Sequence, residues 1–244
     1  MRYAKRGRLR FTSHRDFARA FERALRRAEV PMGFSAGFSP HPKISYVNAA
    51  PTGVASEAEY LEIGLAAEAD PDQVRNALDA ALPPGLDIIE VVVAGTGSLA
   101  DQMQASHWRV ELPGVEPAAA RRALELFMEA AEVPVDKLTK SGRKIVDVRP
   151  AVVSAAVVGE TAGEAAGESR GPADGPCAIL EVVVRLVTPA VRPDDILTGL
   201  RDLADLDPPV PPRTTRVAQG ILTAQGRVAD PLDADRGRTA SGAP

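Results

Sequence analysis

The sequence predicts an α+β protein built from two consecutive split βαβ units, and three observations carry that reading. Across residues 1–96 the apolar pattern alternates between period two and period 3.6 in the order strand, helix, strand, strand, helix, strand. A second, less regular pass through the same theme covers residues 105–224. Two stretches stand apart from both. Residues 159–176 are rich in Gly, Ala and Glu and read as a flexible insertion, and residues 225–244 have the composition of a disordered tail.

The first segment, RYAKRGRLRF at 2–11, alternates loosely and suits a strand with a basic exposed face. Ser13 with Asp16 three residues later has the form of a capping box, so a helix should begin at His14. Along it Phe17, Ala20, Phe21, Ala24, Leu25 and Ala28 recur at helical spacing, while Arg15, Arg19, Arg23, Arg26 and Arg27 fall largely off that stripe. Val30-Pro31 ends the helix. Strands are expected at 43–48 and 59–66, with a turn at 49–53 between them. Asp70-Pro71 opens a second helix with Val74, Ala77, Leu78, Ala81 and Leu82 on one face, and Pro83-Pro84-Gly85 breaks it ahead of a β-branched strand at 86–94. That order is the ferredoxin-like pattern.

In the second half, a strand is expected at 107–112 and a helix at 117–131. A hairpin should span 134–139 and 143–148 around Ser141-Gly142. A β-branched strand pattern follows at 178–187, a short helix opens at Pro193, and 216–222 closes the sheet. The boundary between the two ferredoxin-like units falls near 96–105.

Composition narrows the chemistry. A single cysteine, Cys177, excludes a disulfide framework, a cluster needing three cysteines and a four-cysteine zinc site. With no apolar run of eighteen residues and a basic N-terminus lacking an apolar core, the expectation is a soluble cytoplasmic protein with no membrane association. Charge is distributed unevenly. Residues 1–50 hold eleven Lys and Arg against three Asp and Glu, a net +8, and the remainder is −12. Such polarity suits an anionic partner, RNA before others, and no signal for DNA accompanies it.

The stretch GFSAGFSPHPKISY at 33–46 reads as a shaped loop, with His41 held between two prolines. Candidate RNA- or partner-binding residues are Arg10, Ser13, His14, Arg15, Arg19, Arg23, Gly37, Phe38, Pro40, His41, Pro42, Lys43 and Glu57. The start of the first helix offers free amides and a partial positive charge, and Arg10 and Arg15 flank it, so a phosphate fits there. Blander roles exist for several. Gly37 suits a turn with positive φ, Phe34 and Phe38 suit core plugs better than base stackers, and His41 could anchor its loop. His107, beside Trp108 in a strand, reads as structural. No residue stands out as catalytic, with His14 and His41 the only candidates. The set His14, His41, Glu57 and Glu59 matches no recognised metal-ligand spacing. No phosphate loop, dinucleotide fingerprint or nucleophile–base signature is present, and no cofactor is implied.

The elements RLRFTSHRDFARAFERALRRAEVP, FSAGFSPHPKISY and PTGVASEAEYLEIGL, in that order within residues 1–66, resemble a bacterial family of radical SAM-associated proteins of unknown function. In that family the domain stands alone or follows a radical SAM module, and this chain, without cluster cysteines, resembles the stand-alone form. The resemblance implies an accessory role, with a radical SAM enzyme or a ribonuclease E/G-type enzyme as partner, and brings no catalytic residue. Three readings follow: an accessory protein that binds RNA or presents a substrate to a partner enzyme, an endoribonuclease using His14 as general acid/base, and a protein-binding scaffold. The second is similar to tandem ferredoxin-like CRISPR repeat-processing enzymes. Those carry a glycine-rich loop near the C-terminus, where Arg216–Gly226 here has only Gly220 and Gly226.

Overall fold

The computed structural model describes residues 1–139, 142–158 and 175–238. The chain forms two compact units, one from Met1–Met103 together with the segment from Asp230 onward, the other from Gln104–Ala229. Both are α+β.

The first unit runs β1 (Arg2–Lys5), α1 (His14–Arg27), β2 (Ile44–Val47), β3 (Ala55–Ile63), α2 (Pro71–Ala81) and β4 (Ile88–Glu90). Its strands lie in the order β4-β1-β3-β2, every pair antiparallel. The expected capping at Ser13 is present: its Oγ accepts from the Asp16 amide at 3.2 Å. The stripe packs as predicted, with Phe17, Phe21, Ala24 and Leu25 buried against Tyr3, Leu61, Leu78 and Ile88. Phe17 stacks on Tyr3 at 4.4 Å between ring centroids. The end of α1 has a local cause upstream of Pro31. Glu29 adopts φ 51°, and the amides of Glu29 and Val30 return to the carbonyls of Arg26 and Leu25, a Schellman closure.

Three strand boundaries differ from expectation. The strand foreseen over 2–11 stops at Lys5, because Gly7 turns to φ 51° and Gly7–Phe11 coils into a 3-10 helix. β3 begins at Ala55 rather than Glu59; its early residues are hidden from a hydropathy pattern because Ser56 and Glu59 are polar yet buried. β4 is short, pairing with β1 only around Arg2 and Tyr3.

The second unit runs β5 (Ala105–Pro113), α3 (Pro117–Glu129), the hairpin β6 (Pro134–Thr139) and β7 (Gly142–Asp147), β8 (Val152–Val157), β9 (Cys177–Arg185), α4 (Pro193–Ala204), β10 (Arg213–Leu222) and β11 (Val228–Ala229). Its sheet order is β10-β5-β9-β8, again antiparallel throughout, with β11 added to β10. The hairpin forms where expected, and Gly142 takes φ 107° at its turn. β8 had no counterpart in the sequence reading, since VVSAAV is short, small and only half buried. α3 packs on β8, β9 and α4. The helix approach is tight at Gly199, where an added Cβ would lie 2.7 Å from Val133 Cγ1 and 3.2 Å from Phe127 Cε2.

Residues 159–174 of the expected insertion and residues 239–244 of the expected tail lie outside the described residues. The rest of that tail is not loose. Val228 and Ala229 form β11, and from Asp230 the chain is tied to the first unit. Leu232 is buried beside Val47, Ala58, Tyr60, Leu99 and Met103. Asp230 takes Arg2 at 3.1 Å, Arg236 at 2.6 Å and the Tyr60 hydroxyl at 3.2 Å, and Arg236 also holds Glu90 at 2.6 Å. Local composition reads such charges as solvated because it cannot see their distant partners. Among the described residues no helix is long and apolar enough to cross a membrane.

Candidate nucleic-acid interface

The basic region of the first unit is assembled from the 3-10 helix, α1, the loop 33–43 and β2. Arg6 anchors the 3-10 helix. Its amide donates to the Gly85 carbonyl at 2.8 Å, and its guanidinium reaches Glu57 Oε1 at 2.7 Å and Asp87 Oδ2 at 2.7 Å. These two carboxylates hold the Arg6 guanidinium firmly in its charged form, the bond to Glu57 contributing most. Glu57, a candidate site residue, therefore has its carboxylate engaged by Arg6. The Gly53 amide donates to the Arg10 carbonyl at 2.8 Å, which fastens the 3-10 helix to the turn between β2 and β3. The Arg10 guanidinium lies over the Phe11 ring at 4.9 Å, and Phe11 is 59% exposed.

Arg15, Arg19 and Arg23 project from α1 at four-residue intervals and are exposed. The row covers about 12 Å of helix length. Among the described residues none of the three has an acidic partner in an ion pair. Ser13 is occupied in capping, its hydroxyl also donating to Asp16 Oδ2 at 2.6 Å. His14 is exposed and meets the Tyr46 ring edge-on at 4.8 Å. Tyr46 was absent from the sequence-derived set; the only signal was its alternation with Ile44 along β2. Among the described residues its buried hydroxyl has no hydrogen-bond partner. Burial, reinforced by the charge of Glu22, pushes that phenol up to about 12, so it stays protonated at neutral pH.

The loop 33–43 is closed on itself by its backbone. Gly33 donates to the Gly64 carbonyl at 2.7 Å, Lys43 to the Gly33 carbonyl at 2.9 Å, and Ser35 to the His41 carbonyl at 2.8 Å. The His41 amide returns to Ser35 Oγ at 3.0 Å. His41 therefore steadies the loop through its main chain, and its side chain is exposed. Gly37 takes φ 127° at the tip, the positive-φ role expected of it. Pro42 pairs with Phe34 in an isolated bridge, Pro40 is exposed, and the Lys43 stem lies over Gly64, where a Cβ would approach it to 3.0 Å. The reading of Phe34 and Phe38 as core plugs is overturned. Phe34 is 55% exposed and Phe38 fully exposed. The self-paired loop holds both rings away from the unit's core.

Structure and sequence thus agree on a basic helix face flanked by a rigid loop, and the structure adds Phe11, Phe34 and Tyr46 to it. Among the described residues no group of three or more His, Cys, Asp or Glu side chains is placed to hold a metal ion.

The family described as "uncharacterized protein conserved in bacteria (DUF2344)" matches residues 1–193. The chain belongs to it. The DUF2344 match takes in the whole basic region and continues through β9 to the first residue of α4. It stops short of β10, β11 and the ion-paired segment from Asp230. No curated protein matches the chain.

Proposed function

We propose that this DUF2344 protein is a non-catalytic accessory protein that binds RNA through the α1 arginine row and the loop 33–43, and positions it for a partner enzyme. The observation that carries this reading is the row Arg15, Arg19 and Arg23, exposed and without acidic partners among the described residues. Cations evenly spaced along one helix face, left uncompensated in a chain whose net charge is −4, suit a phosphate backbone. Among the described residues His14 meets the Tyr46 ring edge-on and forms no ion pair with a carboxylate, which favours binding over strand cleavage. The strand order shared by the two units supports describing each as ferredoxin-like. The resemblance of residues 1–66 to radical SAM-associated proteins makes a radical SAM enzyme the first partner to test, and a ribonuclease E/G-type enzyme the second.

The test is binding of the purified protein to RNA across a salt series, with Arg15, Arg19 and Arg23 changed together to Glu. Binding should weaken steeply with salt, and the triple variant should lose it, since three phosphate contacts contribute about 2–3 to the log–log slope. Absence of binding at low salt, or a triple variant that binds like the parent, overturns the reading. Cleavage that disappears in His14→Ala while binding persists would replace it with the endoribonuclease reading.

A further inference from the structure

We infer that the RNA taken at this face is single-stranded, with Phe38 receiving the flat side of an unstacked base. This rests on the RNA reading above and specifies its ligand. Half of the chain's six phenylalanines, Phe11, Phe34 and Phe38, are exposed, and all three border the basic face; Phe17, Phe21 and Phe127 are buried. Scattered exposed apolar residues need no explanation. These are not scattered.

Phe38 stands at the tip of a loop whose base is pinned by the Ser35–His41 and Gly33–Lys43 backbone bonds. Pro40 fixes its own φ beside the tip, and Gly37 supplies the positive φ that the turn needs. The ring is thus presented on a stiff support, which lowers the ordering cost of binding. The loop runs through Lys43 directly into β2, where Tyr46 meets His14 at the head of the arginine row. At about 3.3 Å per strand residue, Lys43 lies roughly 10 Å from Tyr46. A chain of phosphates along α1 can therefore continue to the loop. There an exposed aromatic face stands in the same loop as the exposed His41 and Lys43 side chains. A duplex has its bases stacked and cannot use an exposed ring, whereas a single strand can turn a base out onto one. Arg10 lying over Phe11 forms a second stacked surface near the head of the helix.

The experiment compares an oligouridylate, an oligoadenylate and the duplex of the two, each titrated against the full chain and its Phe38→Ala, Phe38→Leu and Phe38→Tyr variants. The single strands should bind more tightly than the duplex. Phe38→Ala should weaken single-strand binding about 5- to 150-fold, leave duplex binding unchanged, and be restored by Tyr but not by Leu. A single abasic nucleotide stepped along the oligomer should, at one position, cost as much as Phe38→Ala and add nothing to it. The ring is fully exposed, so melting temperatures of the variants should match the parent, which separates lost stacking from lost folding. RNA binding with equal affinity for duplex, or indifferent to all Phe38 variants, overturns this inference and leaves the RNA reading standing. No binding to any of the three ligands overturns both.

Discussion

The two units trace one path with two surfaces. Each threads strand, helix, strand, strand, helix, strand into an antiparallel sheet, β4-β1-β3-β2 in the first and β10-β5-β9-β8 in the second. Each elaborates the same link, between the first helix and the second strand. In the first unit that link is the loop with Phe34 and Phe38; in the second it is the hairpin β6–β7, which exposes Leu138 and Ile145. The helices in equivalent positions differ in charge. α1 carries five arginines against Asp16 and Glu22, whereas α3 balances Arg121 and Arg122 with Glu125 and Glu129. The buried sides of α1 and α3 do the same work, so the architecture tolerates either exterior. Function therefore has to be sought in what each unit carries on its surface, and the path of the chain says little about it.

The largest effect that would sharpen this comparison lies in the cores. Phe21 on α1 and Phe127 on α3 are both fully buried. Changing either to Ala should cost about 3–5 kcal/mol in urea unfolding. Near-equal losses support equivalent helix–sheet packing; a loss under about 1 kcal/mol at one site would break the equivalence. Gly199→Ala comes next. Helix propensity favours Ala by up to about 1 kcal/mol, but the new Cβ meets Val133 and Phe127 in a packed core. The variant should be net less stable by about 1–2 kcal/mol.

Smaller effects separate the helix starts. Ser13→Ala removes a side-chain cap and should cost about 1 kcal/mol. Glu116→Ala, at the start of α3 where no side-chain cap exists, should be close to neutral in the same melt. The least effect belongs to the ion-paired segment of the first unit. Arg236 holds the Glu90 carboxyl below its ordinary range; burial works against Asp230, yet the Leu232 amide and Arg236 bring it below its range as well. Folded values below unfolded ones mean that the stabilisation is complete above about pH 5 and fades as pH falls through the depressed values. Stability measured down an acid series should therefore drop more steeply in the parent than in Asp230→Asn, by less than about 1 kcal/mol per pair. A variant that tracks the parent would show that these pairs contribute nothing.

What the sequence disclosed was whatever is settled within a few residues. The Ser13 cap, the Phe17–Phe21 stripe, the Asp70-Pro71 start of α2 and the Gly142 turn each depend on neighbours in the chain. What it withheld depends on partners far away. Asp230 finds Arg2 and Tyr60 across more than half the chain, and β8 is a strand because β9 is beside it. The basic face was legible as an arginine row. Of its aromatic border only Phe38 was among the candidates, since hydropathy assigns a phenylalanine to the interior unless the backbone, as in the self-paired loop, holds it elsewhere.

The return of the chain at Asp230 has a consequence in time. The first unit is begun with the earliest residues, but Leu232, which completes its second apolar cluster, and Arg236, which joins Asp230 to Glu90, follow the entire 104–229 span. At about 5–20 residues per second, a ribosome takes roughly 6–25 seconds to cross that interval. Through it the nascent first unit waits with Tyr60 and Met103 uncovered by Leu232. Among the described residues, the bonds of the arginine helix and its loop involve none of the late ones, so an emerging chain presents its basic face before its own fold is closed.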